Sequence, residues 1–127
     1  MTGSQFVIYA AMLMVAFVYI RKLLMKRGVN QYDAPSVAAK LKAKDNILLL
    51  DVRTSGERSR RQIRESLHIP LHELNRRVHE MDRFKDKEII CYCQSGSRSL
   101  SAAQILKRHG FRVANLSGGI SSWIPGE

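Results

Sequence analysis

Cys93 has the sequence surroundings of a reactive cysteine. It follows the apolar run Ile89 to Tyr92 and precedes a turn containing Gly96, after which Ser97 to Ser99 begin a predicted helix. A glycine turn can direct successive N–H groups toward one point, a helix N-terminus favours an anion, and Arg98 adds a permanent charge. Because N–H groups and cations stabilise thiolates, Cys93 is the candidate nucleophile; the alternative is a small buried core residue.

The elements that must position Cys93 predict a parallel sheet covered by helices. The runs Ile47 to Val52 and Ile89 to Tyr92 are apolar without alternation, as expected of strands buried on both faces. A helix start with proline in its first turn is predicted at Asp33 to Ser36. Apolar residues recur at helical spacing from Leu71 to Met81 and from Leu100 to Leu106. This alternation predicts an α/β fold with a mostly parallel sheet and helices on both faces.

Three segments follow predicted strands and should converge on one edge of the sheet. They are Asp51 to Arg53, Cys93 with its loop, and Gly118-Gly119, which follows a short predicted strand from Val113 to Leu116. In open α/β sheets, sites form outside the carboxyl ends of the strands. We therefore expect the site at this edge.

The N-terminal segment predicts a transmembrane helix. Residues 6 to 20 are uncharged, and extending the segment past Arg21 and Lys22 to Met25 gives about 30 Å of helix if the two basic side chains snorkel. The alternatives are a cleaved signal peptide and a helix packed on a soluble domain. A signal peptide fits poorly, since residues 1 to 5 carry no charge and basic residues follow the apolar run.

Basic residues after the apolar run predict the orientation. Arg21, Lys22, Lys26 and Arg27 should stay on the cytoplasmic side, which leaves the N-terminus outside. We therefore expect a single-pass protein of the cell inner membrane with a cytoplasmic catalytic domain. The expected parts are a short extracytoplasmic N-terminus (1–5), the transmembrane helix (6–25), a linker (26–32) and the catalytic domain (33–127).

Several motifs together resemble the rhodanese-like sulfurtransferases, from Tyr32 to the C-terminus. The matching segments are Leu49-Leu50-Asp51-Val52-Arg53 with Glu57, Ser66-Leu67-His68-Ile69-Pro70-Leu71, the Cys93 loop, Ala102-Ala103, Gly110-Phe111, and Gly118-Gly119-Ile120 with Trp123. The chain departs from the family at residues 61 to 65, Arg-Gln-Ile-Arg-Glu, where members carry Gly-His-Ile-Pro-Gly. The resemblance implies a rhodanese-like three-layer fold.

The resemblance also implies sulfur transfer through Cys93. The thiolate would take a sulfane sulfur from a donor such as thiosulfate or a persulfide, hold it as a Cys93 persulfide, and pass it to a thiol or protein acceptor, with no metal or cofactor. The loop N–H groups would stabilise these anions. The candidate loop residues are Gln94, Ser95, Gly96, Ser97, Arg98 and Ser99.

Loop length distinguishes sulfur transfer from phosphate chemistry. Four residues separate Cys93 from Arg98, one fewer than in cysteine phosphatases and arsenate reductases. A smaller cradle should fit a single sulfur better than a tetrahedral phosphate. A cysteine phosphatase or arsenate reductase remains an alternative, as does a catalytically idle module that recruits a partner to the membrane.

Charged residues near the loop are expected to support it. Asp51, Arg53 and Glu57 should form supporting ion pairs without catalysing. Arg98 either contacts an anionic donor or braces the loop through a carboxylate such as Asp51. The basic run from Arg58 to Arg64 is either a solvated face or a docking patch for an anionic donor or acidic carrier.

The remaining candidates are predicted to be structural. Cys91 should lie in the core, with a resolving thiol as the alternative. Cys91-Tyr92-Cys93 is a weak metal motif, because the four histidines show no ligand spacing. Phe111 and Trp123 should be core aromatics, although Trp123 could close one side of the site.

Net charge does not make this a nucleic-acid-binding chain. The formal charge is +10, but residues 28–127 carry 17 basic against 11 acidic side chains, and no aromatic residues interleave with the basic ones. The basic residues near the apolar segment fit attraction to lipid head groups instead.

Overall fold

A five-stranded sheet forms the centre of the fold. The computed structural model describes residues 2–26 and 28–124. The strands are β1 (Asn30–Tyr32), β2 (Ile47–Asp51), β3 (Leu67–His68), β4 (Glu88–Tyr92) and β5 (Arg112–Leu116). They lie in the order β1-β5-β4-β2-β3, and every pairing is parallel. The predicted parallel sheet is therefore confirmed.

Helices connect the strands. The α-helices are α1 (Gly3–Lys26), α2 (Ala34–Lys42), α3 (Ser55–Arg60), α4 (Leu71–Arg77) and α5 (Ser97–Arg108), and 3-10 helices follow at Val78–Phe84 and Gly119–Ser122. The sequence predicts one helical run from Leu71 to Met81, whereas the α-helix ends at Arg77 and tightens into a 3-10 helix. Leu74 and Met81 stay fully buried, so the apolar face continues through the change.

Two apolar clusters cover opposite faces of the sheet. One contains Leu74 of α4, Leu106 of α5 and the inward side chains of Cys91 and Cys93. The other contains Val37 of α2, together with Ile90 and Tyr92 of β4, Ile120 and Trp123. Successive β4 side chains alternate between the two clusters, which confirms the prediction that this strand is buried on both faces. Phe111 and Trp123 are both buried, as predicted.

The sheet begins earlier than the sequence predicts. β1 lies within residues 26–32, the predicted linker, and pairs with β5 from Asn30 to Tyr32. It is a short polar edge strand, so no apolar periodicity marks it in the sequence. The Tyr32 hydroxyl donates to the Glu88 carboxylate at 2.9 Å and fixes this edge to β4.

The N-terminal helix is long and apolar enough to cross a membrane. Gly3–Leu24 has a mean hydropathy of 1.9, and none of that window is buried against the rest of the chain. A signal sequence has the same length and composition. Arg27, the side chains of Met25 and Lys26, and residues 125–127 lie outside the described residues.

Candidate active site

The predicted site segments meet at the carboxyl edge of the sheet. Cys93 directly follows β4, and the turn after β5 packs on its backbone: Ile120 N–H donates to the Cys93 carbonyl at 2.9 Å, and Ser121 N–H donates to the Gln94 carbonyl at 3.2 Å. Gly119 has a φ of +62°, and a Cβ there would lie 2.6 Å from the Cys93 oxygen. Only glycine allows this close approach.

The sulfur of Cys93 lies inside a ring of hydrogen-bond donors. Gly96 N–H donates to Sγ at 3.1 Å, and the Ser99 hydroxyl lies 3.3 Å from Sγ. Gly96 has a φ of +107°, the left-handed conformation that points its N–H inward. Burial by itself would raise the pKa of the thiol. The hydrogen bonds from Ser99, Gly96 and Ser95 outweigh burial and lower the pKa of Cys93 below its ordinary value.

Asn115 is a site residue that the sequence reasoning missed. It lies on β5 in register with Cys91 and is only 3% exposed. Its Oδ1 accepts from the Ser99 hydroxyl at 2.5 Å, and its Nδ2 donates to the Gly96 carbonyl at 3.1 Å. Asn115 therefore positions both groups beside Sγ, and the single proton of the Ser99 hydroxyl is shared between Asn115 Oδ1 and Sγ. A buried amide within the apolar strand Val113 to Leu116 was the available signal.

Arg98 braces the loop through Glu57. Its two terminal nitrogens donate to the two Glu57 carboxylate oxygens at 2.7 and 2.8 Å. Asp51, the brace named as an example from the sequence, is not the partner. The Arg98 hydrogen bond is the main reason that the pKa of Glu57 falls to about 2. Glu57 also closes a capping box with Thr54 at the start of α3, so the same carboxylate ties α3 to the loop.

Asp51 and Arg53 form a buried ion pair beside the site. Arg53 Nη2 lies 2.9 Å from Asp51 Oδ2, and both side chains are essentially unexposed. Arg58 approaches the same oxygen at 3.2 Å, and the Tyr92 hydroxyl donates to it at 3.1 Å. Burial would raise the pKa of Asp51, but the Arg53 and Tyr92 hydrogen bonds lower it, so the carboxyl stays ionised. Among the described residues, this network sends no hydrogen bond to Sγ.

The basic run from Arg58 to Arg64 divides into structural and exposed members. Besides Asp51, Arg58 binds the Ser66 carbonyl at 2.7 Å, and the Arg61 guanidinium donates to the Trp123 carbonyl. Arg60 and Arg64 are exposed. In the segment that departs from the family, Glu65 has a φ of +63°, so a left-handed turn forms there without glycine.

Cys91 lies in the core, as the sequence predicts. Its side chain is fully buried, and desolvation, followed by the proximity of Cys93, raises the pKa of its thiol far above the ordinary value. It stays protonated at neutral pH. Cys91 is therefore unsuited to the nucleophilic role in this conformation.

The chain belongs to the rhodanese-like domain family. The family model matches residues 34–125, most of the chain. A sulfurtransferase of Allochromatium vinosum is 38% identical over 96 residues, covering 75% of this chain and 88% of the relative. A thiosulfate sulfurtransferase, GlpE, of Coxiella burnetii is 33% identical and covers 68% of this chain and 79% of its own length. These relatives support sulfur transfer as the general activity.

A solved structure has the same fold. The crystal structure of a rhodanese-related protein from Thermoplasma volcanium superposes with a TM-score of 0.67 at 29% identity, over 74% of this chain and 89% of that one. An uncharacterized Bacillus subtilis protein, YqhL, is 30% identical over 121 residues, 94% of this chain and 86% of its own. That alignment is long enough to include part of α1.

Proposed function

We propose that this protein moves a sulfane sulfur from a donor to a thiophilic acceptor through a persulfide on Cys93. The observation that carries the proposal is the set of donors around Cys93 Sγ, with the Gly96 N–H at 3.1 Å and the Ser99 hydroxyl at 3.3 Å. A buried thiol without donors would be protonated, as Cys91 is. The ring of N–H and hydroxyl groups at Cys93 therefore stabilises an anion at that sulfur.

The first half-reaction loads the cysteine. The Cys93 thiolate attacks the outer sulfur of thiosulfate, an S–S bond forms at Sγ, and the S–S bond of the donor breaks as sulfite leaves with the bonding pair. With an organic persulfide as donor, the leaving group is a thiolate. The loop from Gln94 to Ser99 supports the new persulfide, which is itself anionic at neutral pH.

The second half-reaction unloads the cysteine. An acceptor thiolate attacks the terminal sulfur of the Cys93 persulfide, and the new acceptor persulfide leaves while the Cys93 thiolate is restored. Asp51 and Arg53 have a supporting role: they hold the chain after β2 against the neighbouring strand. Arg98, whose two terminal nitrogens each donate to Glu57, keeps the loop in shape.

We further propose that α1 anchors the domain at the inner face of the cell membrane. Its length and apolar composition support a single span, and the basic residues at its C-terminal end support an N-terminus outside and a cytoplasmic domain. A reporter fused after residue 127 should be active in the cytoplasm. Activity confined to the outer compartment would overturn this orientation.

Mass spectrometry of the intact protein tests the sulfur-transfer proposal. After incubation with thiosulfate or an organic persulfide, the wild type should gain the mass of one sulfur atom. The Cys91→Ala variant should gain the same mass, and Cys93→Ser should gain none. Absence of the adduct from wild type with every donor would overturn the proposal.

A recruitment module without catalysis is the second candidate. The observation in its favour is that Cys93 is 0% exposed, beneath its own loop. The same mass measurement decides between the two, because an idle module takes up no sulfur. Cys93-dependent phosphate release from an aryl phosphate would instead favour phosphatase chemistry.

A further inference from the structure

A cleft separates the inner end of α1 from the Cys93 loop. Its volume is about 510 Å³, and its walls include Tyr19, Lys22 and Leu23 of α1, the loop residues Ser95–Ser97, and Leu100 of α5. Small-molecule sites typically measure about 300–1,000 Å³. The cleft is therefore of the right size for an organic ligand and larger than a thiosulfate ion needs.

Lys22 supplies the positive charge of this cleft. It is the single charged residue in the lining, and it makes no hydrogen bond or ion pair with any other residue that the structure describes. The loop arginine is already paired: Arg98 binds Glu57, while Arg53 and Arg58 share the single carboxylate of Asp51 and are not in the cleft lining. An anion that enters the cleft therefore finds its ionic partner on the N-terminal helix and not on the loop arginine.

One loop residue, Gly96, contacts both the cleft and the sulfur. Gly96 lines the cleft, and its N–H donates to Cys93 Sγ at 3.1 Å. A ligand in the cleft therefore lies beside the loop residue that bonds to Sγ. The serine hydroxyls of Ser95 and Ser97 offer hydrogen bonds on the same side, while Tyr19, Leu23 and Leu100 offer apolar contact.

We propose that this cleft binds the sulfur donor as an anionic organic persulfide, and that Lys22 binds its carboxylate or phosphate group. The donor's identity rests on the sulfur transfer proposed for Cys93, whereas the anion site rests on the cleft alone. The N-terminal helix is then a wall of the substrate site as well as an anchor. Lys22 becomes the residue that sets specificity for charged donors.

Alkylation of Cys93 tests the anion site independently of sulfur transfer. The full chain is studied in nonionic detergent, so that no lipid phosphate competes, and in a Cys91→Ala background. In Lys22→Met, the rate with iodoacetate should fall about fivefold relative to the rate with neutral iodoacetamide. Lys22→Arg should restore the ratio. Added salt should lower the ratio in the parent protein and leave Lys22→Met unchanged.

Arg21→Met is the matched control. Arg21 is the neighbouring cation on the same helix, but it lines an adjoining groove with Leu24 and Arg108. Its removal should leave the alkylation ratio unchanged. Equal effects of Lys22→Met and Arg21→Met, or no effect of either, would overturn the anion site.

Steady-state kinetics test the donor assignment. With glutathione persulfide as the probe, Lys22→Met should raise KM about fivefold with kcat unchanged, and with the diethyl ester of the same persulfide it should change neither. A KM that is indifferent to Lys22 would overturn the donor assignment. If Cys93 takes up no sulfur but the alkylation ratio still depends on Lys22, the proposed function is overturned. The anion site would then still stand.

Discussion

Cys91 and Cys93 lie two residues apart, on the same face of the sheet, and differ in their chemistry. Both are 0% exposed and both belong to the same buried cluster. The pKa of Cys91 is raised by desolvation, whereas the pKa of Cys93 is lowered because hydrogen bonds oppose desolvation. Desolvation acts to raise the pKa of both thiols, and only at Cys93 do hydrogen bonds from the loop outweigh it.

The two cysteines occupy different positions at the end of β4. Cys91 still lies within β4, where its backbone groups bond to neighbouring strands. Cys93 is the first residue beyond β4, where the chain turns and N–H groups are free to point at a side chain. The first residue after a parallel strand is thus the position at which a buried thiol can become an anion.

The largest expected effect is the difference in alkylation rate between the two cysteines. In Cys91→Ala, Cys93 should react with iodoacetamide at least about 10³-fold faster than Cys91 reacts in Cys93→Ala. Cys91 needs both deprotonation and an opening of the core to react. The rates are measured by mass spectrometry at pH 7. Rates within tenfold of each other would contradict the conclusion that only Cys93 is activated as a nucleophile.

Asn115→Leu should have the next largest effect, on stability. The leucine cannot hold the Gly96 carbonyl or the Ser99 hydroxyl, so the unfolding free energy should fall by about 1–3 kcal/mol. Urea denaturation measures the loss. Asn46→Leu is the control, because Asn46 also bonds to backbone but is exposed; it should cost less. An Asn115→Leu variant as stable as wild type would show that the loop does not depend on β5.

Ser99→Ala should shift the pKa of Cys93 upward, toward that of Cys91. Without the hydroxyl at 3.3 Å, one of the contacts that lower the pKa of Cys93 is lost. We expect the pKa of Cys93 to rise. The pH dependence of the alkylation rate reports it. Ser59→Ala, at an exposed serine on α3, is the control and should leave the pH profile unchanged. An unshifted profile in Ser99→Ala would mean that the Ser99 hydroxyl does not stabilise the Cys93 thiolate.

The sequence predicted the sheet and pointed to the candidate sulfur because both leave local signals. Unbroken apolar runs mark the central strands β2 and β4, and the glycine turn with its arginine marks Cys93. The carboxylate that binds Arg98 could not be predicted in the same way. Asp51 ends β2 and Glu57 lies in α3, which follows, so the choice between these two carboxylates depends on the direction in which α3 leaves the sheet.

Other contacts in the site depend on how the strands are aligned with one another, and the local sequence pattern does not reveal that alignment. Asn115 reaches Ser99 because β5 pairs with β4 at Cys91, and nothing around Asn115 in sequence points to the loop. β1 is a three-residue edge strand with no periodicity of its own. The contact of Lys22 with the cleft depends on how α1 leans on α5, a packing relation between segments distant in sequence.

Glu57→Gln should have the smallest effect, and the size of that effect depends on pH. The pKa of Glu57 falls from 4.5 to about 2 in the folded chain, so its ion pair with Arg98 contributes stability above pH 4.5. That contribution decreases as the pH falls from 4.5 toward 2, where Glu57 becomes protonated. We expect Glu57→Gln to be destabilised by up to about 1 kcal/mol at pH 7 and to approach wild type at pH 3. Denaturation at the two pH values measures the difference.

The same variant tests whether Arg98 acts on Cys93 through its charge. The two groups are close enough for their charges to interact. With Glu57 neutral, the guanidinium is no longer compensated, so the pKa of Cys93 should fall, and by less than it changes in Ser99→Ala. Glu80→Gln is the control, since Glu80 also pairs with an arginine but is itself exposed, on the 3-10 helix after α4. A rise in the pKa of Cys93 in Glu57→Gln would mean that the brace matters for loop shape more than the charge does for the thiolate.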